Sequence, residues 1–227
     1  MSSTIQQPKA FAWSYSALKN FETCQKRYLH YNVRKDVVEP ETPQLAEGNA
    51  LHKHFADRLS KGTPLPLGYG MHEPLLARIA AAPGTLVVEQ KLAITAEFRP
   101  ATYFARDVWF RTVVDAGKTH EGRCTVFDWK TGKQVADDTQ LALMAATIMA
   151  HDPSVQRVKA ALVYVNHGGI EQAEYTRDSL VEIWNDIIPR VRAIEKAAAT
   201  QTYHPKPSGL CRRYCAVVSC PYHGKGG

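Results

Sequence analysis

The chain has 227 residues, 44% of them hydrophobic and 22% charged, a composition that supports one good core and excludes a disordered or low-complexity protein. Lysine and arginine outnumber aspartate and glutamate by 28 to 22, a net charge of +6 that suits a polyanionic partner. The start, MSSTIQQPKAFAW, lacks the basic, apolar and small-residue order of a leader, and the longest apolar stretch, Leu141 to Ala150, is too short to span a bilayer. A soluble, intracellular (cytoplasmic) protein with no membrane partner is therefore expected. Its five cysteines are an odd number, and in a reducing compartment clustered cysteines read first as metal ligands.

Ser14 is a candidate N-cap for a helix through SYSALKNFETCQKRYLHY, where Tyr15, Leu18, Phe21, Tyr28 and Leu29 recur at helical spacing beside Cys24. ETPQLAEG reads as a connector. Leu51, Phe55 and Leu59 then repeat at i, i+4 on a second helix that carries His52 and ends at Gly62. TPLPLGYG is a Pro/Gly loop, and MHEPLLARIAAAPG a short helix ending before Pro83 and Gly84. The period then changes: TLVVEQKLAI, EFRPATYF, DVWFRTVVDAG and GRCTVFDWKTG predict a meander of three or four antiparallel strands. DDTQLALMAATIMAHDP is a helix apolar over most of its surface, RVKAALVYVNHGG a buried strand, and IEQAEYT an edge strand. DSLVEIWNDIIPRVRAIEKAAAT is a long helix with Pro189 as a kink. From Tyr203 onward the chain has no periodicity and little apolar bulk, so something other than a core must hold it. The expected class is α/β, a mixed central sheet flanked by helices in one domain over 1–227. Its parts are a helical region at 1–84, a core at 85–200 and a Cys-rich tail at 201–227.

The sharpest chemistry lies in VVDAG and VFDWKTG. Strand alternation points Asp128 and Lys130 to one side, with Phe127 and Trp129 in the opposite layer. AGKTHEG makes a hairpin of the two strands and sets Asp115 beside Asp128. Two such carboxylates repel unless a divalent cation lies between them. With Mg²⁺ or Mn²⁺ held there, and an ammonium group two residues on, the set suits phosphodiester hydrolysis. The acid-x-Lys tripeptide alone says little, since about one match is expected by chance. Glu89-Gln90-Lys91 is a rival match, expected mid-strand with no acidic partner and so in a structural or secondary role. Turn-capping carboxylates beside solvated lysines are the bland alternative for Asp115 and Asp128. KTGKQ lacks the upstream glycine and downstream Ser/Thr of a phosphate-binding loop, which argues against an ATPase.

These pieces, in order, resemble the RecB-like branch of the PD-(D/E)XK nuclease superfamily, and within it the CRISPR-associated iron–sulfur exonucleases. The resemblance rests on S-x-S-A-L-K-N-F-x-x-C, Gly48-Asn-Ala-Leu-His52, Asp115, Asp128-Trp129-Lys130-Thr-Gly-Lys, Gln140 at the start of the next helix, and the Cys-rich C-terminus. It implies a restriction-endonuclease-like core with His52, Asp115, Asp128 and the Trp129 backbone carbonyl on the metal. It also implies Lys130 as the catalytic lysine and Gln140 in a supporting role.

Cys211, Cys215 and Cys220 form C-x3-C-x4-C in the unperiodic tail, and Cys24 lies far upstream. Four thiolates can hold a [4Fe–4S] cluster, and this reading accounts for Cys24 in the FETCQKRY helix. The resembling enzymes use one upstream and three C-terminal cysteines in this way. Zn²⁺ at Cys211, Cys215, Cys220 and His223 is the alternative, and thiolate softness does not separate the metals. Cys124 reads as a small core residue.

Arg212, Arg213, Lys206 and Lys225 make the tail basic, and Lys26, Arg27, Arg34 and Lys35 add charge near Cys24. Tyr28, Tyr214 and Tyr222 could stack on unpaired bases. The expected function is a metal-dependent DNA nuclease, an exonuclease acting on single-stranded DNA or DNA ends in recombination, repair or processing. Its partners would be DNA and recombination or CRISPR-adaptation proteins. The alternatives are a catalytically weak nucleic-acid-binding subunit of the same fold and a zinc-stapled interaction module.

Overall fold

The computed structural model describes residues 12–38, 41–135 and 137–225, so most of the segment read as lacking a leader lies outside the described residues. Contacts divide the described residues into two compact units, one built on those of 43–183, the other on those of 13–42 and 184–225. The second helix belongs with the sheet, and most of the last long helix belongs with the tail.

The first unit is built on a six-stranded sheet in the order β2-β1-β3-β4-β5-β6. β1 (Thr85–Ile94), β3 (Phe110–His120) and β4 (Arg123–Lys130) form the antiparallel meander that the period-two runs predict. EFRPATYF supplies only the short β2 (Pro100–Ala101). β5 (Arg157–Tyr164) runs parallel to β4, and β6 (Gly169–Thr176) pairs antiparallel with β5 at the edge. A parallel pair needs a crossover, and α5 (Asp138–His151) provides it.

Two cores sandwich this sheet. On one face Leu141, Met144, Ala145 and Met149 of α5 pack with Leu92, Val114, Val126 and Leu162. On the other, α3 (Pro43–Lys61) and α4 (Glu73–Ala81) set Leu51, Phe55, Leu76 and Ile79 against Trp129, Ala161 and Val163. The segment read as a connector is the start of α3. Proline suits the first helical position, and Gln44, Leu45, Ala46 and Glu47 are good helix formers, which outweighs Gly48. A Cβ on Gly48 would lie 3.2 Å from Thr131 Oγ1, so the glycine lets α3 run close to the loop after β4.

Side-chain alternation breaks once in β1 and β3. Leu86 and Val88 pack in the α3 core, whereas Leu92, of the same parity, lies in the α5 core; Ala116 and Val114 divide in the same way. The pairing register is unchanged across the break, with Val88 opposite Ala116 and Gln90 opposite Val114. Glu89 takes a φ of 50°, in the left-handed region. Both strands thus turn over together where Glu89 and Asp115 face each other.

In the second unit, Ser14 caps α1 (Tyr15–Thr23) by accepting from the Ala17 N–H at 3.3 Å. The expected continuous helix is interrupted at Cys24, whose backbone is extended at φ −167° and ψ 116°. α2 (Gln25–Tyr28) follows and runs into a π-helical segment, Leu29–Arg34. α6 (Ser179–Thr200) enters this unit from Trp184 and contains Pro189 within the helix. Leu18, Phe21, Ile187, Val191 and Ile194 are among its buried residues. Arg190 grips Glu22 with two parallel bonds, Nε to Oε1 at 2.7 Å and Nη2 to Oε2 at 3.0 Å. The tail then lies along α2, with the Lys26 N–H donating to the His204 carbonyl at 3.3 Å and the His204 N–H to Gln25 Oε1 at 3.0 Å. α7 (Leu210–Arg213) is a single turn. No helix among the described residues is long and apolar enough to cross a membrane.

Gly84 sits between α4 and β1 with a φ of 103°, and a Cβ there would fall 2.1 Å from the Thr119 carbonyl oxygen. Gly84→Ala therefore lowers stability by roughly 2 kcal/mol or more. Gly62, at a φ of 71° with nothing within 4 Å of a built Cβ, meets only backbone strain. Gly62→Ala costs about 1 kcal/mol. Thermal denaturation of the two variants checks the ranking, and an equal loss would contradict it.

Candidate active site

His52, on α3, faces the turned-over segment of β1 and β3. Its Nδ1 is 3.3 Å from Asp115 Oδ2, and its Nε2 is 3.0 Å from the Trp129 carbonyl oxygen. Both neighbours only accept hydrogen bonds, so a ring that donates from both nitrogens is favoured. The Asp115 hydrogen bond accordingly holds the His52 pKa above its ordinary value, against the opposing effect of burial. The Trp129 N–H donates to Asp115 Oδ2 at 2.8 Å, which fixes that oxygen from the strand next door. Glu89 completes the group. His52, Glu89 and Asp115 each offer a ligand atom within 4.8 Å of the others, the only such set among the described residues.

Glu89 thus has the acidic partner that the sequence reading denied it. It stands at the exposed rim of the site, yet partial burial of its carboxyl, and then the fields of Asp115 and Asp128, push its pKa up. The signal was present in Glu89-Gln90-Lys91. What the sequence did not show is the left-handed backbone at Glu89 and the register that sets it opposite Asp115.

Asp128 is one step beyond the Ala116–Phe127 pair, opposite Asp115 as the hairpin predicts. β4, however, does not turn over. Val126 packs in the α5 core and Trp129 in the α3 core, so Asp128 points toward α5. There its Oδ1 accepts from Gln140 Nε2 at 2.6 Å, and its Oδ2 lies 2.6 Å from Lys130 Nζ. Of the expected set, His52 and Asp115 lie together with Glu89, and Asp128 stands beside them, held by Gln140 and Lys130. Burial pushes the Asp128 carboxyl up against the pull of Lys130, and Asp115 adds to the rise. The Trp129 carbonyl is engaged by His52. Two carboxylates and an imidazole gathered this closely fit a hard divalent cation, with His52, Glu89 and Asp115 as the residues to hold it.

The four cysteines of interest all lie in the second unit. Cys24, Cys211, Cys215 and Cys220 are unpaired thiols lining one cavity with Lys26, Arg27 and Tyr222. The Lys206 N–H donates to Cys24 Sγ at 3.3 Å and the Ser208 N–H to Cys211 Sγ at 3.4 Å. His223, the fourth ligand of the zinc alternative, is exposed. Cys124 is buried in the α5 core.

Of the residues read as contacting nucleic acid, Arg212 and Arg213 are exposed, and Lys26 and Arg27 are half-buried. The Arg27 guanidinium lies 4.7 Å over the Tyr31 ring. Tyr28 is a correction: it is 4% exposed, edge-on to Phe21 and stacked on Tyr203, so it offers no face to a base. Tyr214 and Tyr222 remain exposed.

Among solved structures, the chain is similar to a protein from Eubacterium rectale provisionally described as an exonuclease. The two share 14% identity and a TM-score of 0.54 over 93% of this chain and 91% of that one. A looser likeness, with 13% identity and a TM-score of 0.42, covers 97% of this chain and 90% of the protein SSO0001. No curated protein matches the sequence. At 14% identity the first of these shows the fold alone. The family model of the PD-(D/E)XK nuclease superfamily matches residues 12–221, and the chain belongs to that superfamily.

Proposed function

We propose that this member of the superfamily is a DNA exonuclease of the RecB-like iron–sulfur branch. It hydrolyses phosphodiester bonds of single-stranded DNA or DNA ends with Mg²⁺ or Mn²⁺, in recombination, repair or DNA processing. The observation that carries the reading is the convergence of His52, Glu89 and Asp115, with Asp128 and Lys130 beside them. A divalent ion bound there would neutralise the carboxylates, polarise the scissile phosphate and acidify a water. The chain's own residues supply the rest. The Trp129 N–H keeps one Asp115 oxygen in place, and Gln140 does the same for Asp128. The Lys130 ammonium, paired with Asp128, is placed to orient the attacking water and to stabilise the charge that builds on the phosphate.

Cys24, Cys211, Cys215 and Cys220 would hold a [4Fe–4S] cluster, whose contribution is to join the N-terminal helices to the tail. Their shared cavity and the two N–H···Sγ bonds support this role. Arg212, Arg213, Lys26 and Arg27 would supply phosphate contacts near the cluster.

Asp115→Asn and Lys130→Ala are each expected to slow metal-dependent cleavage of single-stranded DNA at least about a hundredfold. Their melting temperatures should stay close to the wild-type value, and undiminished cleavage in both variants removes the reading. Glu89→Gln should weaken Mn²⁺ binding, measured calorimetrically, by at least about tenfold; an unchanged affinity would return Glu89 to a structural role. Protein purified without oxygen should be brown and contain iron. Cys24→Ser should lose both the colour and the iron, while Cys124→Ser keeps them; a colourless wild-type protein carrying zinc would refute the cluster.

A further inference from the structure

An exposed aromatic patch on the first unit takes no part in the chemistry above. Tyr103 and Phe104 occupy the loop between β2 and β3 and meet edge to face, with ring centroids 5.0 Å apart at 84°. Two cations hold this pair from the sheet. Lys91 Nζ is 5.8 Å from each ring centroid, and the Arg111 guanidinium carbon is 5.5 Å from Tyr103 and 6.0 Å from Phe104. Phe104 is nonetheless 77% exposed. A lone exposed phenylalanine is unremarkable. A phenylalanine held in the open beside two cations is a surface already ordered for a ligand that is both flat and anionic.

The place of the patch says which ligand. Lys91 has the parity opposite to Leu92, which lies in the α5 core, so Lys91 stands on the α3 side of the sheet. Arg111 pairs in register with Ala93 and reaches the same two rings as Lys91, which puts it on that side too. Glu89 and Asp115 meet His52 of α3 on this side. Lys91 is two residues past Glu89 along β1, about 7 Å, and Arg111 four residues before Asp115 along β3, about 14 Å. A strand with one phosphate at the acidic cluster would carry its neighbouring nucleotides over the patch. Cations meet the phosphates and the open ring face meets a base, a combination that suits single strands because only an unpaired base exposes its own face.

We infer that Tyr103, Phe104, Lys91 and Arg111 form a stacking subsite for an unpaired base of a DNA strand whose neighbouring phosphate lies at His52, Glu89 and Asp115. The inference rests on the nuclease reading for the identity of the strand. It is tested with single-stranded oligonucleotides containing the fluorescent base 2-aminopurine, bound to the full chain with Ca²⁺ to hold the complex. The wild type should quench the probe. The double variant Tyr103→Ala, Phe104→Ala should lose most of the quench and bind about tenfold more weakly. Phe104→Trp should keep both, and a blunt duplex should bind the wild type and the double variant alike. Equal quenching and affinity in the wild type and a folded double variant overturn the subsite. The readout needs no turnover. If the wild type cuts nothing while the quench still depends on the two rings, the nuclease reading fails and the subsite stands. If the wild type cuts while the double variant behaves as wild type, the reverse holds.

Discussion

Negative charges of one sign resist being brought together in a poorly hydrated place, and the first unit is organised around doing so. Asp115 and Asp128 are both buried, and Glu89 stands at the rim with a carboxyl that partial burial, and then its acidic neighbours, make harder to ionise. Each is answered locally. His52 and the Trp129 N–H serve Asp115, and Lys130 and Gln140 serve Asp128. Glu89 has the least compensation.

The local route to this arrangement explains the surrounding sequence. Asp115 and Asp128 come together because a short hairpin fixes the register of β3 and β4. Trp129 serves three ends at once: its indole anchors the α3 core beside Phe55, its N–H orients Asp115 and its carbonyl engages His52. Packing of the helix layer and placement of the acids are thereby one interaction. A substitution that loosened Trp129 would disturb both.

Much of this was legible in the chain. Period-two runs gave the meander, the i, i+4 apolar repeat gave the helix of His52, and the hairpin gave the opposition of Asp115 and Asp128. Gln140 beside Asp128 followed from family resemblance rather than from pattern. What escaped has a common cause. Glu89 and the sidedness of Asp128 depend on a reversal of alternation, which arises from one backbone conformation rather than from residue types, since glutamate carries no signal for the left-handed region. Tyr28 recurs at the spacing of Leu18 and Phe21, a core signal that the reading of its ring as a base platform set aside, and it packs with Phe21 and Tyr203. The start of α3 was missed because Gly48 reads as loop, although its lack of a side chain is what the neighbouring Thr131 requires.

The reversal in β1 also has a meaning for how such a chain can vary. A ribbon with a half-twist shows a different face on either side of the twist, so the segment before Glu89 is tuned by the α3–α4 layer and the segment after it by the α5 layer. The two interiors are therefore served by different stretches of the same strands, and only the α3–α4 interior, through Trp129, is tied directly to the acids at the crossing.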